Sequence, residues 1–307
     1  MLVPPEPSTV RIAGPWTHHD VSANGIRLHV VELGSGPLVL LLHGFPEFWW
    51  SWRHQLIGLA GAGFRAAAVD LRGYGDSDKP PRGYDGWTLA GDVAGLIRAL
   101  GERSAAVVGH DWGGLLAWTV AALHPRLVSH LVPLAAPHPL AIRRALLRDP
   151  RHQGRASGYA LGFQLPLWPE RRLCRDGGAQ VERIFRGWAG RAWTRTPEFA
   201  EVLCRNRAAM SIPGVAHSAL EYYRWALRSQ LRAEGRRFAA AVDTPVPVPV
   251  LQLHGADDPC LLEPTARASR RWAGAGHHYR VLPGVGHFVP QEAALTTTRA
   301  IADFVGS

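Results

Sequence analysis

The chain has 307 residues, 47% of them hydrophobic and 19% charged, which excludes a disordered chain and supplies apolar material for a large core. The 33 glycines and 24 prolines follow no G-X-Y period, so a collagen-like chain is excluded as well. Basic residues outnumber acidic ones by 34 to 25, a formal charge of +9, and Lys79 is the single lysine.

Met1 to Pro7 shows neither a charged segment nor an apolar stretch, so no secretory leader is expected. Gly25 to Leu33 alternates around Ile26, Leu28 and Val30, which predicts a half-exposed strand. Leu38 to Leu42 is continuously apolar, as in a buried strand, and so are Phe64 to Val69 and Ala105 to Val108. Thr88 to Leu100 has helical spacing. Such alternation predicts a parallel α/β sheet. Ala105 to Leu123 is the best candidate for a membrane span, but His110, Asp111 and two adjacent glycines break it.

The character changes after Pro137. Residues 138–240 contain no strand-like run and hold 19 arginines against 8 acids. A basic segment can attract nucleic acid, anionic lipid or an acidic substrate. No basic run is interleaved with stacking aromatics, so nucleic acid is not an expected partner, and the arginines are expected on solvated helix faces. Pro245-Val246-Pro247-Val248-Pro249 is a stiff linker, after which Val250 to Leu253 and Tyr279 to Leu282 read as buried strands. The expected organisation is an α/β core from residues 1–137 and 241–307, with a helical insertion at 138–240. Cys174, Cys204 and Cys260 are too few for a disulfide framework, so a reducing cytoplasm is expected, and none has metal-ligand spacing.

The strongest motif is Val107-Val108-Gly109-His110-Asp111-Trp112-Gly113-Gly114. A buried strand ends, a polar residue stands at its tip, and small residues follow where a helix must start. That is the pattern of a nucleophile elbow, whose glycines let strand and helix backbones come close. The nucleophile position holds Asp111, not serine. A carboxylate nucleophile attacks saturated carbon and leaves an ester on the enzyme. A plain helix N-cap is the simpler reading of Asp111, and the flanking glycines weigh against it. Leu42-His43-Gly44-Phe45-Pro46 follows the first buried strand, where a backbone N–H can join the one after the elbow in an oxyanion hole. Leu253-His254-Gly255-Ala256-Asp257-Asp258 and Gly284-Val285-Gly286-His287 follow the last two strands. Nucleophile, acid and histidine thus occur in that order, in loops at the C-terminal edge where open α/β sheets carry their sites.

These motifs resemble those of epoxide hydrolases of the α/β-hydrolase superfamily. The likeness is carried by His43-Gly-Phe-Pro-Glu-Phe-Trp-Trp-Ser-Trp-Arg53, Asp70-Leu-Arg-Gly-Tyr-Gly-Asp-Ser-Asp-Lys-Pro80 and Gly109-His-Asp-Trp-Gly-Gly114. It covers the core almost end to end and the insertion more loosely. The resemblance implies the α/β-hydrolase fold, a mostly parallel twisted sheet flanked by helices, with a helical lid at 138–240. It implies Asp111 as nucleophile, His287 as base, and an acid orienting the base. Asp258 is the better match for that acid, with Asp257 next. The other acid position used by some relatives, after Ala135-Ala136-Pro137, holds no carboxylate. The family also uses two lid tyrosines to protonate the ring oxygen. Tyr159 matches the first. Tyr223 is preferred to Tyr222 for the second, because Leu220, Tyr223, Leu227 and Leu231 share one helical stripe. The N–H groups of Phe45 and Trp112 would hold an oxyanion, and His43, Pro46 and His110 are expected to contact substrate. The implied reaction converts an epoxide to a vicinal diol through an ester on Asp111, which a His287-activated water cleaves, with no metal or other cofactor. The expected partner is a small-molecule epoxide, and the protein is expected to be a cytoplasmic monomer or homodimer.

A haloalkane dehalogenase shares the Asp-Trp elbow and the histidine. It needs a second halide donor, which Phe45 cannot be, although a lid tryptophan such as Trp168, Trp188 or Trp193 can. An α/β-hydrolase used as a silent binding module usually lacks part of the triad, and none is missing here.

Overall fold

The computed structural model describes residues 4–274 and 276–307, so the leader reading at Met1 to Val3 lies in part outside the described residues. Strands β1 (Thr17–Ala23) and β2 (Ile26–Leu33) form an antiparallel hairpin. The remaining strands are β3 (Leu38–Leu42), β4 (Arg65–Val69), β5 (Ala105–His110), β6 (Val128–Leu134), β7 (Val250–Gly255) and β8 (His277–Leu282). All eight make one sheet in the order β1-β2-β4-β3-β5-β6-β7-β8, antiparallel up to the β2–β4 contact and parallel beyond it. Every residue of β3, β5 and β7 is buried, as their unbroken apolar runs require of central parallel strands.

Two strand readings are corrected. β2 is largely buried rather than half-exposed, because it lies between β1 and β4 instead of at an edge. β8 is half-exposed rather than buried, because it is the edge strand beyond β7. The polar β1 carries no apolar alternation and was not anticipated.

Helices α1 (Arg53–Gly61), α2 (Gly86–Ala99) and α3 (Trp112–Leu123) lie between strands of the first half. α2 starts two residues before the expected Thr88, since the Asp85 side chain accepts the Thr88 N–H at 2.9 Å and caps it. The apolar stretch Ala105 to Leu123 is divided into β5, a turn and α3, and no helix of the described residues is long and apolar enough to cross a membrane.

Between β6 and β7 the described residues form helices and no named strand. These are α4 (Pro139–Arg148), α5 (Gln153–Ala156), α6 (Tyr159–Gly162), α7 (Trp168–Cys174), α8 (Ala179–Trp188), α9 (Pro197–Met210), α10 (Val215–Arg228) and α11 (Ala233–Val242). One cluster of buried apolar side chains runs from the sheet (Leu41, Val108) into this segment (Phe185, Phe199, Leu220). The anticipated stripe on α10 holds only in part. Leu220 and Tyr223 are buried, but Leu227 and Leu231 are 37% and 88% exposed. The chain closes with α12 (Glu263–Arg267), α13 (Val289–Glu292) and α14 (Ala294–Val305), the last packed on α1.

Candidate active site

Asp111 stands alone between β5 and α3, at φ 51° and ψ −118°. A non-glycine residue there is strained, and the surrounding backbone must hold it. A Cβ on Gly109 would lie 2.2 Å from the Gly113 carbonyl oxygen, and one on Gly113 would lie 2.1 Å from that of Leu42. The turn therefore closes only with glycine at these positions. The loop after β3 crosses directly over the aspartate: a Cβ on Gly44 would come within 2.4 Å of the Asp111 Cβ.

That crossing decides what each carboxylate oxygen meets. The Phe45 N–H donates to Asp111 Oδ1 at 2.8 Å, and Oδ2 lies 3.5 Å from His287 Nε2. Trp112, the first residue of α3, has an N–H with no acceptor one turn back, as at any helix start. His287 Nδ1 lies 2.8 Å from Asp258 Oδ2. The other oxygen of Asp258 accepts the N–H groups of Cys260 and Leu261 at 2.9 and 3.0 Å. Asp257 is exposed, so the structure places Asp258, not Asp257, against the imidazole.

Charge follows geometry here. Burial opposes the Asp258 carboxylate, but His287 and the loop N–H groups outweigh it and hold the group down at about 2. Burial likewise opposes the His287 imidazolium. Cys260, Asp258 and Asp111, packed against the ring, overcome that and push His287 well above the usual histidine range.

The helical segment between β6 and β7 supplies a wall of rings above Asp111. The Tyr223 ring packs edge-on against Trp112 and Phe45, with centroids 4.9 and 5.3 Å away, and against Tyr159 at 6.0 Å. Tyr159 in turn packs on Trp188, whose ring is 5.3 Å from that of His287. The Tyr223 hydroxyl is buried and has no hydrogen-bond partner. The Tyr222 hydroxyl points elsewhere, donating to the Arg72 carbonyl at 2.8 Å. Burial pushes the phenols of Tyr159 and Tyr223 well above the usual tyrosine range, so both stay protonated.

Residues 37–294 match the family model described as alpha/beta hydrolase fold. The chain is 35% identical to Epoxide hydrolase 3 of Xenopus tropicalis, over 92% of this chain and 75% of that protein. It is 34% identical to the AB hydrolase superfamily protein YfhM of Bacillus subtilis, over 93% of this chain and 96% of that one. The solved epoxide hydrolase from an endophytic Streptomyces superposes with a TM-score of 0.81 at 30% identity, covering 96% of each chain. The chain belongs to the epoxide hydrolases of the α/β-hydrolase superfamily.

Two residues that the motifs suggested would touch substrate are committed elsewhere in this epoxide hydrolase. His43 is fully buried, its Nδ1 on the Gly44 carbonyl at 2.9 Å and its Nε2 accepting the Leu71 N–H at 3.1 Å. His110 is also fully buried, with Nδ1 on Glu47 Oε2 at 2.7 Å and Nε2 on the His287 carbonyl at 2.8 Å. Neither ring has a free polar atom for a ligand. Both brace the loops that carry Phe45 and His287. Pro46 is buried beside Phe45.

The bracing extends to residues the sequence did not single out. Burial opposes the Glu47 carboxylate, but His110 holds it at about 2. Its other oxygen accepts from Gln291 at 2.7 Å, and Gln291 in turn accepts from Arg53 at 2.8 Å. The cysteine spacing gives Cys260 no role, yet its Sγ lies 3.2 Å from both His287 Nδ1 and Asp258 Oδ1. Its position two residues after Asp258 was the available signal. Asp258, Cys260 and His287 place donor atoms within 4.8 Å of one another, the one set among the described residues that could hold a metal ion. There the imidazole and the carboxylate are already paired with each other.

Proposed function

We propose that this enzyme opens an epoxide to a vicinal diol through an ester on Asp111. With Oδ1 held by Phe45, Oδ2 is the oxygen free to attack the less hindered ring carbon. The carbon–oxygen bond of the ring breaks, and the oxygen takes a proton from Tyr159 or Tyr223. Oδ1 is then the ester carbonyl oxygen, already in place for the N–H groups of Phe45 and Trp112 as charge develops on it. His287, oriented by Asp258, draws a proton from water, which attacks that carbonyl and releases the diol. The leaving diol oxygen takes the proton of the newly added hydroxyl, and the proton held by His287 returns through water to the tyrosinate. Esterification removes the negative charge of Asp111 beside His287, so the base loses part of what kept it protonated just when it must accept a proton.

The observation that carries this reading is the unpartnered Tyr223 hydroxyl, buried over the elbow beside Tyr159, where an alkoxide leaving group needs a donor. The homology to epoxide hydrolases supports the same reading. We take residues 138–240 as the lid. All the proposed site residues come from one chain, so a monomer suffices, and three free cysteines fit a reducing cytoplasm.

The test is a pair of incubations, with styrene oxide and with 1-bromobutane. Diol above the Asp111→Ala background, without bromide, is the expected result. Bromide without diol would overturn it and give Trp188, which does reach His287, the role of halide donor. His287→Gln should accumulate the ester, seen as a protein mass increase equal to the substrate.

A further inference from the structure

The lid carries a surface feature that epoxide opening does not use. Leu161, Leu165, Leu167 and Trp168 are 65%, 52%, 63% and 52% exposed, and Leu227 and Leu231, at and just after the end of α10, are exposed as well. The elements that carry them are held side by side. The segment before α7 is tied to α10 by Arg224, which donates to the Leu165 carbonyl at 2.8 Å and pairs with Glu170 at 2.7 Å. Arg228 adds a bond to the Gln164 carbonyl at 3.1 Å. Single exposed leucines need no explanation, but a contiguous group on a lid does.

The charge around this face limits what can cover it. Arg171, Arg172, Arg228 and Arg232 are exposed, and none forms an ion pair among the described residues. The nearby acids Glu170 and Glu221 are both taken by Arg224, at 2.7 and 3.0 Å. The Arg172 guanidinium lies 5.1 Å above the Trp168 ring, an apolar body with a cationic rim. Two copies meeting face to face through such a surface would repel each other. An anionic lipid surface would instead be attracted by the arginines and would accept the leucines and the tryptophan.

We propose that this face of the lid docks onto an anionic lipid bilayer. It continues from the site along the same elements. Tyr159 is two residues from Leu161, Phe163 packs 5.0 Å from Tyr223, and Tyr223 is one helical turn from Leu227. Docking there would hold the Tyr159 and Tyr223 side of the enzyme close to a lipophilic epoxide dissolved in the bilayer. This delivery role rests on the epoxide reading; the docking does not.

Flotation of the whole protein with vesicles tests the docking. Vesicles of phosphatidylcholine alone are compared with an equal mixture with phosphatidylglycerol, at low and high salt. Binding to the mixture at low salt, lost at high salt and weak on phosphatidylcholine, is expected. Reversing Arg171, Arg172 and Arg228 to Glu should weaken it by about five-fold or more per arginine. The variant Leu167→Ser/Trp168→Ser/Leu231→Ser should weaken it at low salt. Both variants should still turn over styrene oxide without vesicles, which shows that they fold. No binding, equal binding to both vesicles, or a dimer in solution that the leucine variant dissolves would overturn the proposal. Delivery is read separately. Anionic vesicles should speed turnover of a long-chain alkyl epoxide and leave styrene oxide unchanged, and equal effects on both would remove it. Flotation requires no turnover, so its failure and a failure of the epoxide reading are distinct results.

Discussion

In the proposed mechanism, His287 is the residue whose state sets the chemistry. Its pKa stands above the usual histidine value because Cys260, Asp258 and Asp111 favour the imidazolium. A base works only when deprotonated, so ester cleavage should rise with pH through the value His287 has in the ester enzyme, which lies below that of the free enzyme because Asp111 has lost its charge. Part of the rise comes from Asp111, 3.5 Å away. An NMR titration should therefore find His287 with a lower pKa in Asp111→Asn than in the parent protein, and an unchanged value would show that the two are not coupled. The adjacent tyrosines should separate by kind of damage. Tyr223→Phe removes a hydroxyl with no structural partner, and single-turnover kinetics should show ester formation slowed by about 10²-fold or more, with folding stability near that of the parent. Tyr222→Phe leaves the Arg72 carbonyl without its donor, and denaturant titration should show a loss of about 1–3 kcal/mol.

The elbow is the element on which the site depends. Its geometry was legible because glycine at 109, 113 and 114 has one physical reason, the absence of room for a Cβ. The structure supplies the distances that confirm it. Gly113→Ala should cost about 1–3 kcal/mol or more in chemical denaturation, since the obstructing atom is backbone and cannot rotate away. Gly187→Ala is the opposite case. Gly187 is exposed in α8 with nothing near its missing Cβ, and the change should stabilise by about 0.5 kcal/mol in the same assay. Helical spacing was a weaker guide. The stripe on α10 led to Tyr223, but Leu227 and Leu231 share its spacing and lie at the surface. Periodicity shows that residues share a face, and only the neighbouring elements decide whether that face is covered.

At the scale of the molecule, the helical segment between β6 and β7, the proposed lid, and the sheet are joined rather than merely adjacent. The buried apolar cluster is continuous between them, and a smaller one joins Leu140 and Phe238, from either end of the segment, to Trp272. Polar ties add to this. Glu198 on α9 meets both Arg53 and His54 of α1, and the His287 N–H donates to the Trp188 carbonyl at 2.9 Å. A shared core unfolds together, so calorimetry and circular dichroism should report one coincident transition. Two separated transitions would mean that the lid segment folds on its own.

The sequence by itself determined the class of sheet, the elbow, and the order of nucleophile, acid and histidine. These depend on local requirements: unbroken apolar runs for buried strands, glycine where no Cβ fits, and polar residues at strand ends. It could not determine which carboxylate of Asp257 and Asp258 turns inward, nor that His43 and His110 are braces. Those outcomes depend on partners far apart in the chain, such as Glu47 for His110 and Leu71 for His43. Burial of β2 and exposure of β8 were decided the same way, by a strand's place in the sheet, which its own residues do not encode.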